Sequence, residues 1–418
     1  MKSKRWYKLD NAAKIYPAIT TSKWTPIFRF TAVLKRPVDA GVLKAALDKT
    51  MVRFPLFNTC LKTGFFWYYL EDLGRPVVPE PDVVNPCAPM NRGDPLLRVR
   101  YHENRISVEA HHGLTDGSGL MTFLKTLLSQ YFRQQGFDVP ATHGVLDVNE
   151  PPDPSEEEDS FLKYSRMSAL PSRRETRAYH PSGTPIPPGD LIITTGTMSA
   201  SEIHKKAHEA RVSVTEYLTA VLLQSIYTLQ KAEQPKKQYP VKISVPVNLR
   251  KFYRTNTLRN FSQYVNPGID PNYGEFTFEE ILSQLHHQFR FMLTEKNLNA
   301  RMSKNVNDEL SVAIRAMPLF IKKPVMILTH MQVGERIFSS PLSNMGFVEL
   351  PDVIRDEVER FDMVLHTARY NKLECSAASY NDTLSVSFSR SIAQPHTERL
   401  FFTALVRQGI RVKVESNI

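Results

Sequence analysis

The spacing of apolar residues changes several times along the chain, and each change marks an element. Phe28, Phe30, Ala32 and Leu34 alternate with Arg29, Thr31 and Val33, which predicts a strand. Asp39 then stands where an N-cap is expected, before Leu43, Ala46 and Leu47 at helical spacing. Residues 64–71 are aromatic-rich and strand-like. Residues 97–101 and 105–110 flank His102-Glu103-Asn104 and read as two strands joined by a hairpin turn. Beyond them the period becomes helical. Leu120, Phe123, Leu124, Leu127, Leu128, Tyr131 and Phe132 fall on one stripe that should face a core, with Thr115 or Asp116 placed to cap it.

From about residue 138 to 190 the pattern weakens. Prolines become frequent, Glu156-Glu157-Glu158-Asp159 forms an acidic run, and one short helix is expected near residues 161–167. The acidic run reads as a solvated helix start. Periodicity returns with a strand over 191–198, a helix over 201–210, and Ser213-Val214-Thr215-Glu216, a capping box opening a helix to Gln230. Residues 241–247 are strand-like. Thr277-Phe278-Glu279-Glu280 is a second capping box, with its helix expected to run through Glu295. Short strands and turns are expected in much of the remainder, with 384–388 alternating. This divides the chain into 1–150, a Pro-rich connection 151–190, and 191–418, both halves mixing strands and helices as α/β sandwich-like subdomains.

Composition narrows the class without deciding it. The 418 residues, 42% of them hydrophobic and 23% charged, suit a globular chain of two cores. Cys60, Cys87 and Cys375 are odd in number and far apart, which predicts neither a disulfide framework nor a metal-ligand set and points to a reducing cytoplasmic setting. The basic N-terminus lacks an apolar segment behind it, and the apolar stretch at 218–229 is too short to span a bilayer. The net charge of +10 is spread in pairs such as Lys236-Lys237 and Lys322-Lys323, so nucleic acid is not an expected partner, whereas a polyanionic small molecule is compatible.

The candidate chemistry lies where the strand 105–110 meets the helix that follows: His111-His112-Gly113-Leu114-Thr115-Asp116-Gly117. Adjacent histidines on an extended segment point apart and rarely share an ion, and no third ligand cluster is nearby, so no metal is expected. A nucleophile elbow would need serine where Thr115 stands, and Ser118 lies outside that pattern. A purely structural role is the dull alternative. The chain holds its own comparison in His286-His287, which lacks the Asp-Gly and reads as surface.

His111 to Gly117 spell H-H-x-x-x-D-G, and the chain here resembles the chloramphenicol acetyltransferase-like superfamily of acyltransferases and condensation domains. Further residues are similar to that family's pattern. They are Trp6-Tyr7-Lys8-Leu9-Asp10, Val245-Pro246-Val247-Asn248-Leu249-Arg250 with the later Asn260-Phe261, and Leu342-Ser343-Asn344-Met345-Gly346. The order of elements fits the bacterial alcohol acetyltransferase-like branch. The D-F-G-W-G motif of plant members is absent, and no carrier-protein or adenylation domain is visible.

The resemblance implies two sandwich subdomains with an active-site tunnel between them. It implies acyl transfer from acyl-CoA, acetyl-CoA in the first instance, to an alcohol or amine, with His112 as general base and no permanently bound cofactor. By the same resemblance His111 is a structural hydrogen-bonding residue, Asp116 pairs with an arginine of the second half, for which Arg250 is the candidate, and Gly117 allows close backbone approach. Ser343, Asn344 and Asn260 are candidates for an oxyanion donor or tunnel lining. Two other readings remain open: a free-standing condensation-type enzyme taking its acyl group from a carrier protein, and a noncatalytic ligand-binding relative.

Overall fold

The structure, a computed structural model, describes residues 5–21, 23–82, 85–166 and 175–418. In the first half a sheet runs in the order Val358–Leu365, Ile27–Leu34, Arg105–His111, Leu97–His102, Pro79–Pro81. Every residue of Ile27–Leu34 is buried, as expected for a strand covered on both faces. The helices Ala40–Arg53 and Gly117–Gln134 pack on one another beside this sheet. The Leu120 stripe enters their shared core, where Phe123 stacks on Phe57 with ring centroids 5.3 Å apart. A smaller sheet, Trp6–Lys8, Tyr68–Asp72, Thr59–Thr63, lies alongside.

The second half is built on an eight-stranded sheet. Within it the strand Ser340–Phe347 pairs in parallel with both Val241–Asn248 and Leu373–Tyr380. Ile192–Ser199 and Thr383–Arg390 continue the sheet, and the helices Val214–Glu233, Phe278–Met292 and His396–Arg407 contribute to one core on it. Both capping boxes close as read: Ser213 with Glu216, and Thr277 with Glu280.

Four expectations need correcting. Val358–Leu365, which the sequence division assigns to the second half, pairs antiparallel with Ile27–Leu34 and forms the edge of the first sheet. The helix from Thr277 stops at Met292, and Thr294 caps a new one, Glu295–Leu310, followed by Val312–Ala316 and Leu319–His330. Helices therefore stand where short strands and turns were expected. The acidic run is not a solvated helix start: Glu156 is buried and held by Arg53 through two hydrogen bonds of 2.6 Å, while Asp159 caps the short helix Ser160–Tyr164. Residue 167, the expected end of that helix, lies outside the described residues. Finally, residues 64–67 form a turn, and the strand begins at Tyr68.

The two halves are stitched at the borrowed strand. The hydroxyls of Ser376 and Ser389 donate to the carbonyls of Met363 and Leu365, and Ser385 donates to Asp362 at 2.6 Å. The H-H-x-x-x-D-G segment lies against residues 258–261 and Met345 of the second half.

Candidate active site

Arg105–His111 delivers the first histidine as its last residue, and Gly117–Gln134 begins six residues later. The turn between them is fixed by its own polar groups. Asp116 is the N-cap: its Oδ1 accepts from the amides of Ser118 at 3.1 Å and Gly119 at 3.2 Å. Its Oδ2 accepts from Arg250 Nη1 and from the amide of Phe261, each at 2.8 Å. Arg250 spends its remaining donors on the carbonyls of Thr257 and Arg259 and reaches Asn248 Oδ1. The structure thus brings Asp116 and Arg250 together, and the carboxylate that looks like a catalytic acid beside two histidines faces away into this network.

His111 is buried. Its Nδ1 accepts from the amide of Gly113 at 2.8 Å, which leaves the proton on Nε2, facing Thr20 Oγ1 at 3.3 Å. Burial, aided by the neighbouring His112, pushes its pKa down to about 3, so this ring is neutral. Both nitrogens are occupied by local structure.

His112 is different. Its backbone is anchored on both sides, the amide donating to Pro26 O at 2.8 Å and the carbonyl accepting from Asn260 Nδ2 at 2.9 Å. Its ring is held by stacking: Phe28 lies 4.3 Å away on centroids and Tyr16 5.0 Å. Nδ1 is buried without a hydrogen-bond partner. Burial pushes the pKa down to about 4, and the charge of Asp116 opposes that shift. An aromatic clamp on a neutral imidazole gives a proton acceptor of fixed orientation.

The remaining candidates divide. Asn260 is buried at the seam, and its Nδ2 also donates to Asp10 Oδ2 at 3.1 Å. Asp10 is fully buried, which raises its pKa, while Arg259 at 3.6 Å favours its charge. Asn260 therefore braces the carbonyl of His112 from behind. Asn344 is occupied elsewhere, its Nδ2 donating to Thr215 Oγ1 at 3.0 Å and its Oδ1 accepting from Gly346 N at 2.9 Å. Ser343 sits on the same strand, partly buried, in register with Ser376. Met345, not Ser343 or Asn344, is the residue of that strand that closes on the motif, for a Cβ on Gly117 would lie 3.1 Å from its sulfur.

That observation also moves the close approach expected at Gly117. Its neighbour is a flexible side chain. The backbone contact falls two residues later, where a Cβ on Gly119 would overlap both Leu258 O and Thr115 Oγ1, themselves joined by a 2.5 Å hydrogen bond. Sequence reading missed Gly119 and Tyr16, and it quoted Asp10 within the N-terminal stretch similar to the family without giving it a role. G-x-G after the aspartate was a visible hint for the first, but nothing local marks Tyr16. Among the described residues no group of three or more metal-ligating side chains converges. Cys60, Cys87 and Cys375 are all buried and free. The second histidine pair differs from expectation in one member: His287 is exposed, but His286 Nδ1 lies 3.0 Å from Glu216.

No family model matches the chain. A solved structure of TRI101 from F. sporotrichioides with coenzyme A and T-2 superposes with a TM-score of 0.65 at 12% identity, covering 98% of this chain and 99% of that one. The starter condensation domain of rhizomide synthetase, solved with C8-CoA, superposes with a TM-score of 0.59 at 14% identity over 96% and 93%. The chain has the chloramphenicol acetyltransferase-like condensation fold. Among sequences, phthiocerol/phthiodiolone dimycocerosyl transferase of Mycobacterium ulcerans is 27% identical over 174 residues, 39% of this chain and 40% of that protein. That match spans well under half of the relative's length. Among the described residues of this condensation-fold chain, no helix is long and apolar enough to cross a membrane.

Proposed function

We infer that the protein is an acyltransferase that moves an acyl group from acyl-CoA to a hydroxyl, acetyl to an alcohol being the first case to test, with His112 as general base. The observation that carries this reading is the His112 ring, neutral and clamped between Phe28 and Tyr16 at the seam of the two halves. Neighbours of the same fold solved with coenzyme A and with C8-CoA support the donor class.

The chemistry asked of the site is a single displacement. A hydroxyl is a poor nucleophile at neutral pH, so a base must take its proton as its oxygen attacks the thioester carbonyl. The neutral imidazole accepts that proton. The C–O bond forms, the tetrahedral oxyanion collapses, the C–S bond breaks, and the departing thiolate takes the proton back from His112. Asp116 does not orient the base in this scheme. With Arg250 it holds the turn that aims the ring, and Asn260 fixes the carbonyl behind it. Asn344 Nδ2 spends one of its two N–H donors on Thr215 Oγ1, so it and Ser343 both stay candidates for the oxyanion.

The test is release of free thiol from acyl-CoA of several chain lengths with a panel of alcohols and amines, beside the same acyl groups on a carrier protein. His112→Ala should fold with an unchanged circular dichroism spectrum and lose turnover by about 10²–10⁴-fold. Turnover equal to wild type would remove His112 from the chemistry. Turnover with the carrier-bound donor alone would move the enzyme to the condensation-type reading.

A further inference from the structure

From Ser311 to Gly334 the chain contains no acidic residue, but it does contain Arg315, Lys322 and Lys323. The helix Leu319–His330 in this stretch is amphipathic in an unusual sense. Its protein-facing side carries Leu319, Met326 and the buried Lys322, whose ammonium sits 3.4 Å from the centre of the Trp67 ring and donates to Phe66 O at 3.0 Å. Its solvent side is apolar. Phe320 is 73% exposed, Leu328 55%, Ile321 47% and Val325 46%. Leu319 N donates to Phe65 O at 2.9 Å, so the turn bearing Phe65 and Phe66, exposed at 67% and 45%, lies at the N-terminal end of this helix. The helix places a lysine where an apolar residue belongs and apolar residues where lysines belong.

Such a surface is costly in water and marks a contact face. Its charge indicates which contact. Arg315 and Lys323 are exposed and have no ion-pair partner among the described residues, while Glu309 and Glu335 at the two ends are engaged with Lys14 and His330. An apolar stripe in a segment that carries two unpaired cations, Arg315 on the short helix before it and Lys323 on the helix itself, and no acid suits an anionic lipid surface, with the helix lying in the plane of the headgroups. The length of the helix, Leu319–His330, fits lying in that plane and not crossing it.

We propose that the stripe Phe320–Ile321–Val325–Leu328, with Phe65 and Phe66, is a docking face for anionic membranes. This face also abuts the site. Leu319–His330 packs against the short helix Tyr16–Ile19, and Tyr16 stacks on His112. The proposal does not depend on the acyltransferase reading, since vesicle binding is measured without turnover.

The experiment is co-sedimentation of the full chain with phosphatidylcholine vesicles, with and without phosphatidylglycerol, at low and high salt. Binding is expected to the anionic vesicles only, weakening as salt rises. Phe320→Ser combined with Leu328→Ser, and separately Arg315→Glu combined with Lys323→Glu, should each weaken it by about tenfold or more. All four positions are exposed, so circular dichroism should stay unchanged. No binding by wild type, equal binding to both vesicle types, or insensitivity to either variant pair would overturn the proposal. So would a dimer in sedimentation velocity that Phe320→Ser with Leu328→Ser dissolves, because the occupant would then be a second copy.

Discussion

Replacing Asp116 by alanine should damage the fold more than the loss of one surface charge would. The carboxylate accepts four hydrogen bonds, two from the start of its own helix and two from the other half of the chain. Losing the N-cap alone costs about 1 kcal/mol. Removing one partner of a buried pair costs about 3–5 kcal/mol, because the other charge stays desolvated and unpaired. Arg250 would retain only the 3.4 Å contact to Asn248 on Nη1. The terms share a residue and do not add in full, so a total near 4 kcal/mol is expected. Asparagine should recover part of it. Its one carbonyl oxygen can face the helix amides or the Arg250 and Phe261 donors, and its amide must then meet the other pair, donor against donor. Urea unfolding followed by circular dichroism measures each variant. Asp116→Ala with Arg250→Met should cost less than the sum of the two single changes, since no unpaired charge is left behind. A loss below about 1 kcal/mol for Asp116→Ala, or strict additivity in the pair, would refute the reasoning.

The two glycines should separate under the same assay. Gly119→Ala must displace both Leu258 O and Thr115 Oγ1 and should cost upward of about 3 kcal/mol, whereas Gly117→Ala asks only Met345 to shift and should cost about 1 kcal/mol or less. The buried histidines make stability pH-dependent. Their folded pKa values, about 3 for His111 and about 4 for His112, lie below the unfolded 6.5, so the unfolded chain binds more protons below that value and stability falls as pH drops from 6.5 towards 4. Asp159, raised to about 6 chiefly by burial, pulls the other way, so the clean measurement is the difference between wild type and His111→Gln. The wild type should lose about 1.4 kcal/mol per pH unit more over that window. Asn260→Ala should lower kcat more than it raises KM, with the donor acyl chain held constant, because it frees the carbonyl of His112 without touching the ring. An unchanged kcat would show that the brace is idle.

What the sequence disclosed and what it hid follow from the range of the forces involved. The Leu120 stripe, the hairpin at Glu103 with its positive φ of 48°, and both capping boxes are set within a few residues, and their patterns were legible. The Asp116–Arg250 pair was reachable only through the resemblance, since no local pattern links residues so far apart. Gly119 is tight because of Leu258, Asn260 is buried because of Asp10, and neither partner is near in sequence. Helices over 295–330 went unread for different reasons: Glu295–Leu310 buries only the sparse stripe Leu298, Met302 and Val306 among mostly polar residues. Leu319–His330 turns most of its apolar residues to solvent and carries Pro324 inside. The acidic run was misread for a related reason. Charge alone suggests solvent, and only the distant Arg53 explains why Glu156 is buried.

The strand Val358–Leu365 has a consequence for how the protein is made. Until those residues leave the ribosome, Ile27–Leu34 has an open edge whose residues will all be buried in the finished fold. The first half therefore emerges early and waits, through synthesis of most of the second, for the strand that closes it. During that interval it exposes a sticky border suited to chaperone capture or to pairing with another nascent copy. Cutting the gene at the linker should likewise give two fragments that need each other, which makes the chain a candidate for complementation in trans and a poor one for dissection into separate domains.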